Sequence, residues 1–177
     1  MAVDSFAWGL GSAILFGLLR KTYHFTNLQL GVMWSVFLIT MVCLQIPMGI
    51  LVQRYGCKTF FVLSEIAGAI LMVGWLTVKS FEAFAVLETL MGFVVSAWIP
   101  ATKTFVAGSV AEESRAEAMG KVAAFRGLIG FPAPLIGGLL YDLAGFSAPI
   151  LSGLLGTVVA LLMFVFLVQE PDRELEG

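Results

Sequence analysis

A chain of 177 residues that is 59% hydrophobic and only 12% charged does not make a soluble surface, since soluble domains run near one quarter charged residues. The formal net charge of −2 excludes the basic face that nucleic acid requires, and a mean hydropathy of +0.97 points to a lipid bilayer. Cys43 in an apolar run and Cys57 in a basic turn form neither a disulfide framework nor a CxxC metal site.

About 20 apolar residues cross the hydrocarbon as a helix. Six such segments follow in chain order: 1–19, 30–52, 59–78, 81–107, 121–141 and 147–168. The first has no basic start and no clear small-residue cleavage site, so it reads as a span rather than a signal peptide. Asp4 and Trp8 share one of its faces at i, i+4 spacing, and Ser5, Gly9, Ala13 and Gly17 make a small-residue stripe suited to close helix packing. Arg20, Lys21 and the sole histidine, His24, follow it. The second segment runs into the turn "GILVQRYGCK", residues 49–58, where two glycines and two bases interrupt the apolar pattern. The third holds Glu65; the fourth holds Glu88, Gly92, Ser96, Pro100 and Lys103. The fifth holds Arg126 and then "APLIGG", with Pro134, Gly137 and Gly138. Trp34, Trp75 and Trp98 suit packing or an interfacial belt. A sixth span and a polar tail, 170–177, close the chain. Spanning segments must satisfy their own backbone hydrogen bonds, so all six are helices and the fold class is an all-α membrane protein.

With six spans both termini lie on one side. That side collects Arg54, Lys58, Arg115, Lys121 and Arg173, against Arg20, Lys21 and Lys79 on the other, which predicts cytoplasmic termini in a multi-pass cell-membrane protein. Gly31, Gly49 and Gly56 reappear as Gly120, Gly138 and Gly145, each 89 residues later. They fall in the second and fifth helices of two three-helix units, 1–79 and 80–169, within one domain, 1–169. An odd number of spans per unit inverts one unit relative to the other, an arrangement typical of secondary transporters.

These residues carry a resemblance. Gly49, Gln53, Arg54, Gly56 and Lys58 resemble the signature turn of major facilitator superfamily transporters, G-x-x-x-D-[RK]-x-G-x-[RK], with Gln in place of Asp. "APLIGG" is similar to the G-P-x-x-G-G element of the family's antiporters, with Ala133 at its first position. The missing Asp, the absence of an Arg in the fourth helix and the final "GGLLYDLAG" resemble the C-terminal half of that fold, encoded or cut separately. The resemblance implies secondary active transport of a small molecule by alternating access, as one half of a twelve-helix transporter. It implies that the first and fourth helices line the cavity, which nominates Asp4, Trp8, Ser12, Glu88, Gly92, Ser96 and Pro100 for substrate. It makes Gly49, Arg54, Gly56 and Lys58 a gating turn, with the glycines letting the backbone bend and approach closely. Pro134, Gly137 and Gly138 belong to an interface helix, and the first, second and fifth helices meet the partner.

Glu65, Lys103 and Arg126 stand at similar depth from one membrane face, so a buried charge cluster is expected in which Glu65 pairs with Arg126 or Lys103. No GxSxG, HExxH or Walker pattern occurs, which leaves no enzyme, cofactor or metal reading. Two readings remain. One is a transporter half that pairs with an N-terminal half or with a second copy of itself, exporting amphipathic molecules against protons carried by Asp4 or Glu88. The other is a structural membrane fragment without transport of its own.

Overall fold

Six helices long and apolar enough to cross a membrane follow one another: α1 (Ala2–Tyr23), α2 (Asn27–Tyr55), α3 (Cys57–Thr77), α4 (Phe81–Gly108), α5 (Glu112–Ala144) and α6 (Ser147–Leu167). The computed structural model describes residues 1–169, among which there is no strand; the tail 170–177 lies outside the described residues.

Local chemistry sets the helix ends. Thr26 and Gln29 form a reciprocal capping box at the start of α2, with Gln29 N–H donating to the Thr26 hydroxyl at 3.3 Å and Thr26 N–H donating to the Gln29 side chain at 2.9 Å. The Ser80 hydroxyl caps α4 by accepting from Ala83 N–H at 3.3 Å. Gly56 joins α2 to α3 at φ 91°, ψ 157°, and Gly145 joins α5 to α6 at φ 79°, ψ −169°. That region of backbone space belongs almost entirely to glycine. The two positions lie 89 residues apart, and both turns reverse the chain with the same device. Gly49 does not bend the chain: it lies inside α2, and a Cβ there would meet nothing within 4 Å.

The two largest departures from the expected helix boundaries have one reason, exposed charge. α1 continues past Arg20 and Lys21, whose side chains reach Asn27 at 2.7 Å and Asp142 at 3.1 Å. α5 begins nine residues before position 121, because its first turns carry exposed Glu112, Glu113 and Glu117 and dilute the apolar pattern.

Both α1 and α5 are broken. A 3₁₀ turn, Ser12–Ile14, separates Ala2–Gly11 from Leu15–Tyr23 in α1. In α5, Phe131 and Pro132 separate Arg115–Gly130 from Ala133–Ala144, and prolines at 132 and 134 withhold two backbone N–H donors. The two broken helices pack closely through small residues. A Cβ on Gly9 would come within 2.8 Å of the Ala133 methyl, and Gly137 sits against the Leu10 carbonyl. On the other side of α1, a Cβ on Gly156 of α6 would come within 2.6 Å of the Ala7 methyl.

Two aromatic-rich cores stabilise the bundle. One gathers Leu19, Met33, Trp75, Phe84, Phe146 and Ile150. The other gathers Met48, Phe60, Phe61, Ala101 and Phe164, with Met1 and Val168 packed against it. The two ends of the described chain therefore lie at one end of the bundle. Only 11% of the apolar stretch of α5 and 17% of that of α2 is buried inside the molecule, against 50% for α3. Lipid tails are as apolar as leucine, so these outward Leu and Ile side chains carry no penalty in a bilayer.

Candidate functional site

Between the two cores lies a cavity of about 340 Å³, lined from α1, α3, α4 and α5. Asp4, Trp8 and Ser12 come from α1, Glu65 from α3, Trp98 from α4 and Arg126 from α5. Asp4 is 3% and Glu65 1% exposed. An ionisable group held among membrane-spanning helices is costly, and that makes it a functional candidate.

Arg126 organises the site. Its Nε–H donates to the Ser5 hydroxyl at 2.7 Å, its guanidinium stands 3.7 Å from the Asp4 carboxylate, and its Cζ lies 5.6 Å from the centre of the Trp98 ring. Ser5 in turn donates to the Met1 carbonyl at 3.0 Å, so the guanidinium rests on a fixed acceptor. Trp98 is held by Phe61 and Phe164, 5.0 and 5.4 Å away between ring centres. Glu65 has no base of its own: its carboxyl group stands beside the Asp4 side chain, and its oxygens find no other hydrogen-bond partner among the described residues. Two acids thus face one base across the cavity, and any occupant that brings positive charge or a hydrogen-bond donor improves that balance.

This arrangement corrects the expected charge cluster. Arg126 pairs with Asp4 rather than Glu65. Lys103 is exposed and does not line the cavity. Depth counted from helix ends brought the three together on paper; Glu65 and Arg126 do share the cavity, and the outward face of Lys103 removes it.

Of the nominated substrate residues, Asp4, Trp8 and Ser12 line this cavity. Glu88 lies elsewhere, 3% exposed, in a neighbouring cavity that shares Ser12 and Met91 with the first. Gly92 is a packing residue: a Cβ there would meet Thr40 at 2.7 Å and the Phe37 carbonyl at 2.9 Å, so it lets α4 cross α2 closely. Ser96 is fully buried and donates to the Phe93 carbonyl of its own helix at 2.8 Å. Pro100 lies inside α4 and lines neither cavity. The sequence reading missed Ser64 and Trp98 as lining residues, and it took Ser5 for packing alone. Trp98 stands seven residues before Phe105, which also packs on Phe61, and that two-turn spacing was the available signal.

In the turn at 49–58, Gly56 takes the special backbone conformation, and the Arg54 guanidinium lies 5.4 Å from the centre of the Tyr55 ring. On α5, Gly137 and Ala133 are buried against α1 and do not present an outer face. Gly138 is open, and Pro134 is half-buried. The outward face of α5 is formed instead by Leu128, Leu135, Leu139 and Leu143.

Residues 1–177 match the family model described as Major Facilitator Superfamily. The chain is also similar to an uncharacterized MFS-type transporter of Methanocaldococcus jannaschii, 27% identical over 136 residues, which are 77% of this chain and 33% of that protein. The chain thus spans about a third of the length of the curated relative it matches.

Proposed function

The chain belongs to the major facilitator superfamily, and from that premise we propose that it is one half of a secondary transporter that moves a small molecule by alternating access. The observation that carries this reading is the cavity itself: Asp4, Glu65 and Arg126 held inside a bundle that is otherwise apolar. A purely structural membrane fragment gains nothing from two buried acids and one base, each costly there.

Alternating access needs an element that moves and a site that stays charged. The 3₁₀ turn in α1 and the Phe131–Pro132 break in α5 supply places where the helix ends beside the cavity can tilt without loss of other backbone hydrogen bonds. Trp8 and Trp98 give apolar walls and Asp4, Glu65 and Arg126 give polar ones, a lining suited to amphipathic molecules. Exchange against protons follows from the surplus acid: a proton taken by Asp4 or Glu65 balances the cavity when substrate leaves. Export is the direction this reading assigns, with the termini and the 49–58 turn in the cytoplasm.

This reading assigns the outward faces of α2 and α5 to a partner in place of lipid, an N-terminal six-helix half or, failing that, a second copy of this chain. The test is flux. The purified chain is placed in proteoliposomes alone and together with an N-terminal half of the same superfamily from the same cell, and uptake of an amphipathic fluorescent dye is followed under an imposed pH gradient. Gradient-driven accumulation that Arg126→Gln abolishes is the expected result. Only passive leakage in the paired liposomes would establish the inactive-fragment reading instead.

A further inference from the structure

α1, α2, α3 and α4 enclose a second cavity of about 320 Å³. Its walls are aromatic: Phe16, Trp34, Phe37 and Trp75. Phe16 meets Trp34 edge to face at 5.7 Å between centres, and Trp34 lies 5.0 Å from Phe37, so three of the rings form a continuous wall. Glu88 is the one charged group among the lining residues. It is 3% exposed, and its Oε1 has no hydrogen-bond partner among the described residues. Trp75 Nε1, in the same lining, also lacks one.

The chemistry of this lining selects its ligand. A carboxylate removed from water needs a counter-charge, and no base stands among the lining residues to supply it. Aromatic faces attract a cation within about 6 Å of the ring centre. A hard metal ion requires several oxygen ligands, and one carboxylate beside the Ser12 hydroxyl provides too few. That hydroxyl is moreover engaged, donating to the Trp8 carbonyl at 2.6 Å. A diffuse charge clothed in carbon fits, since it asks for ring faces and a single anion at short range. The volume falls within the range of small-molecule sites. Trp34 is half exposed, so one wall gives onto the outside of the bundle.

We propose that this cavity binds a lipophilic organic monocation, with Glu88 as its counter-charge and Phe16, Trp34 and Phe37 as the walls that hold its apolar body. The proposal rests on the transport reading only for calling that cation a substrate; binding itself stands apart from it. Ser12 and Met91 line both cavities, so a cation held at Glu88 is one step from the Asp4–Glu65–Arg126 site.

Binding is measured on the full chain in detergent with tetraphenylphosphonium, and in parallel with tetraphenylborate, which has the same shape and the opposite charge. Calorimetry gives the affinity, and quenching of tryptophan fluorescence reports occupancy beside Trp34 and Trp75. The phosphonium binds saturably and the borate does not. Glu88→Gln weakens phosphonium binding by about tenfold or more, the scale of one lost charge-assisted contact, and Trp34→Leu weakens it by about twofold to thirtyfold. Equal binding of the two probes to the unaltered chain overturns the proposal, as does a folded Glu88→Gln protein that binds the phosphonium like the parent. Should Glu88→Gln fail to fold, Glu88→Asp keeps the charge and is expected to retain weakened binding, while the comparison of the two probes needs no variant. Phosphonium binding without gradient-driven flux defeats the transport reading and leaves this site standing. Flux of a neutral dye without phosphonium binding does the reverse.

Discussion

The pairing of Arg126 with Asp4 rather than with Glu65 can be tested with double-mutant cycles in detergent. At 3.7 Å and an effective dielectric near 20, the Coulomb attraction is about 4 kcal/mol. The side chain of Asp4 is 4% and that of Arg126 28% exposed, so part of this attraction is lost to desolvation and part to solvent screening. A coupling of about 1–2 kcal/mol should survive. Asp4→Asn and Arg126→Gln each lower Tm, and the double variant loses less than the sum by that coupling. The cycle of Glu65→Gln with Arg126→Gln should be additive to within about 0.5 kcal/mol. Glu65→Gln alone is expected to change stability by no more than about 1 kcal/mol, the scale of one net hydrogen bond, because the amide N–H can donate to the Asp4 carboxylate from the same place. A thiol-reactive dye is unsuitable as the melting reporter because Cys43 is exposed and reacts before unfolding; intrinsic fluorescence serves better. Additive losses for Asp4 with Arg126, or strong coupling of Glu65 with Arg126, would refute this account of the cavity.

Three further outcomes follow from geometry alone. Gly137→Ala forces α5 off the Leu10 carbonyl and should cost about 1–3 kcal/mol, while Gly138→Ala next to it meets open space and should be neutral or stabilising by up to about 1 kcal/mol; equal melting temperatures for the two would contradict the close α1–α5 contact. Gly56→Ala and Gly145→Ala should each cost about 1–3 kcal/mol, because both positions hold a backbone conformation open to glycine; a tolerated alanine at either would show that the turn relaxes. For topology, Glu113→Cys and Asn27→Cys place exposed thiols at opposite ends of the bundle, and in intact cells an impermeant maleimide should label the second and spare the first. The reverse pattern places the termini outside.

Much of the fold was legible because it depends on quantities a sequence carries directly. Six apolar stretches of spanning length give six helices, and glycines at a fixed spacing of 89 mark the two turns where Gly56 and Gly145 take one conformation. Where boundaries slipped, the cause was local. Arg20, Lys21, Glu112 and Glu113 broke the apolar pattern without ending the helix, since an exposed charged turn at a helix end costs nothing in water. The helix breaks at Ser12–Ile14 and Phe131–Pro132 were less visible. A proline announces the second, but the first arises where Gly11 lies against Ile150 of α6, a contact no local pattern encodes.

The site was half legible, and the half that was missed depended on register between helices. Residue types nominated Asp4, Glu65, Glu88 and Arg126, each of which lines a cavity, but also Lys103, which is exposed, and depth from helix ends gave Arg126 the wrong partner. What decides the partner is how α1 and α5 align. In a six-span chain the first and fifth helices run in the same direction, so one offset relates all their contacts. Gly130 lies by Ser5, Ala133 by Gly9 and Gly137 by Leu10, offsets of 125, 124 and 127. Arg126 meets Asp4 and Ser5 at separations of 122 and 121, a few residues short of that range, because its long side chain reaches along α1 to them. The small stripe Ser5, Gly9, Ala13 on α1 and the small positions Gly130, Ala133, Gly137 on α5 were therefore the missing signal. Each is unremarkable alone, and only their complementarity fixes the register. Helix packing by small residues thus places the charges here: shifting α5 by one turn would leave Arg126 without Asp4, and enlarging Gly137 is the mildest change that would begin to do so.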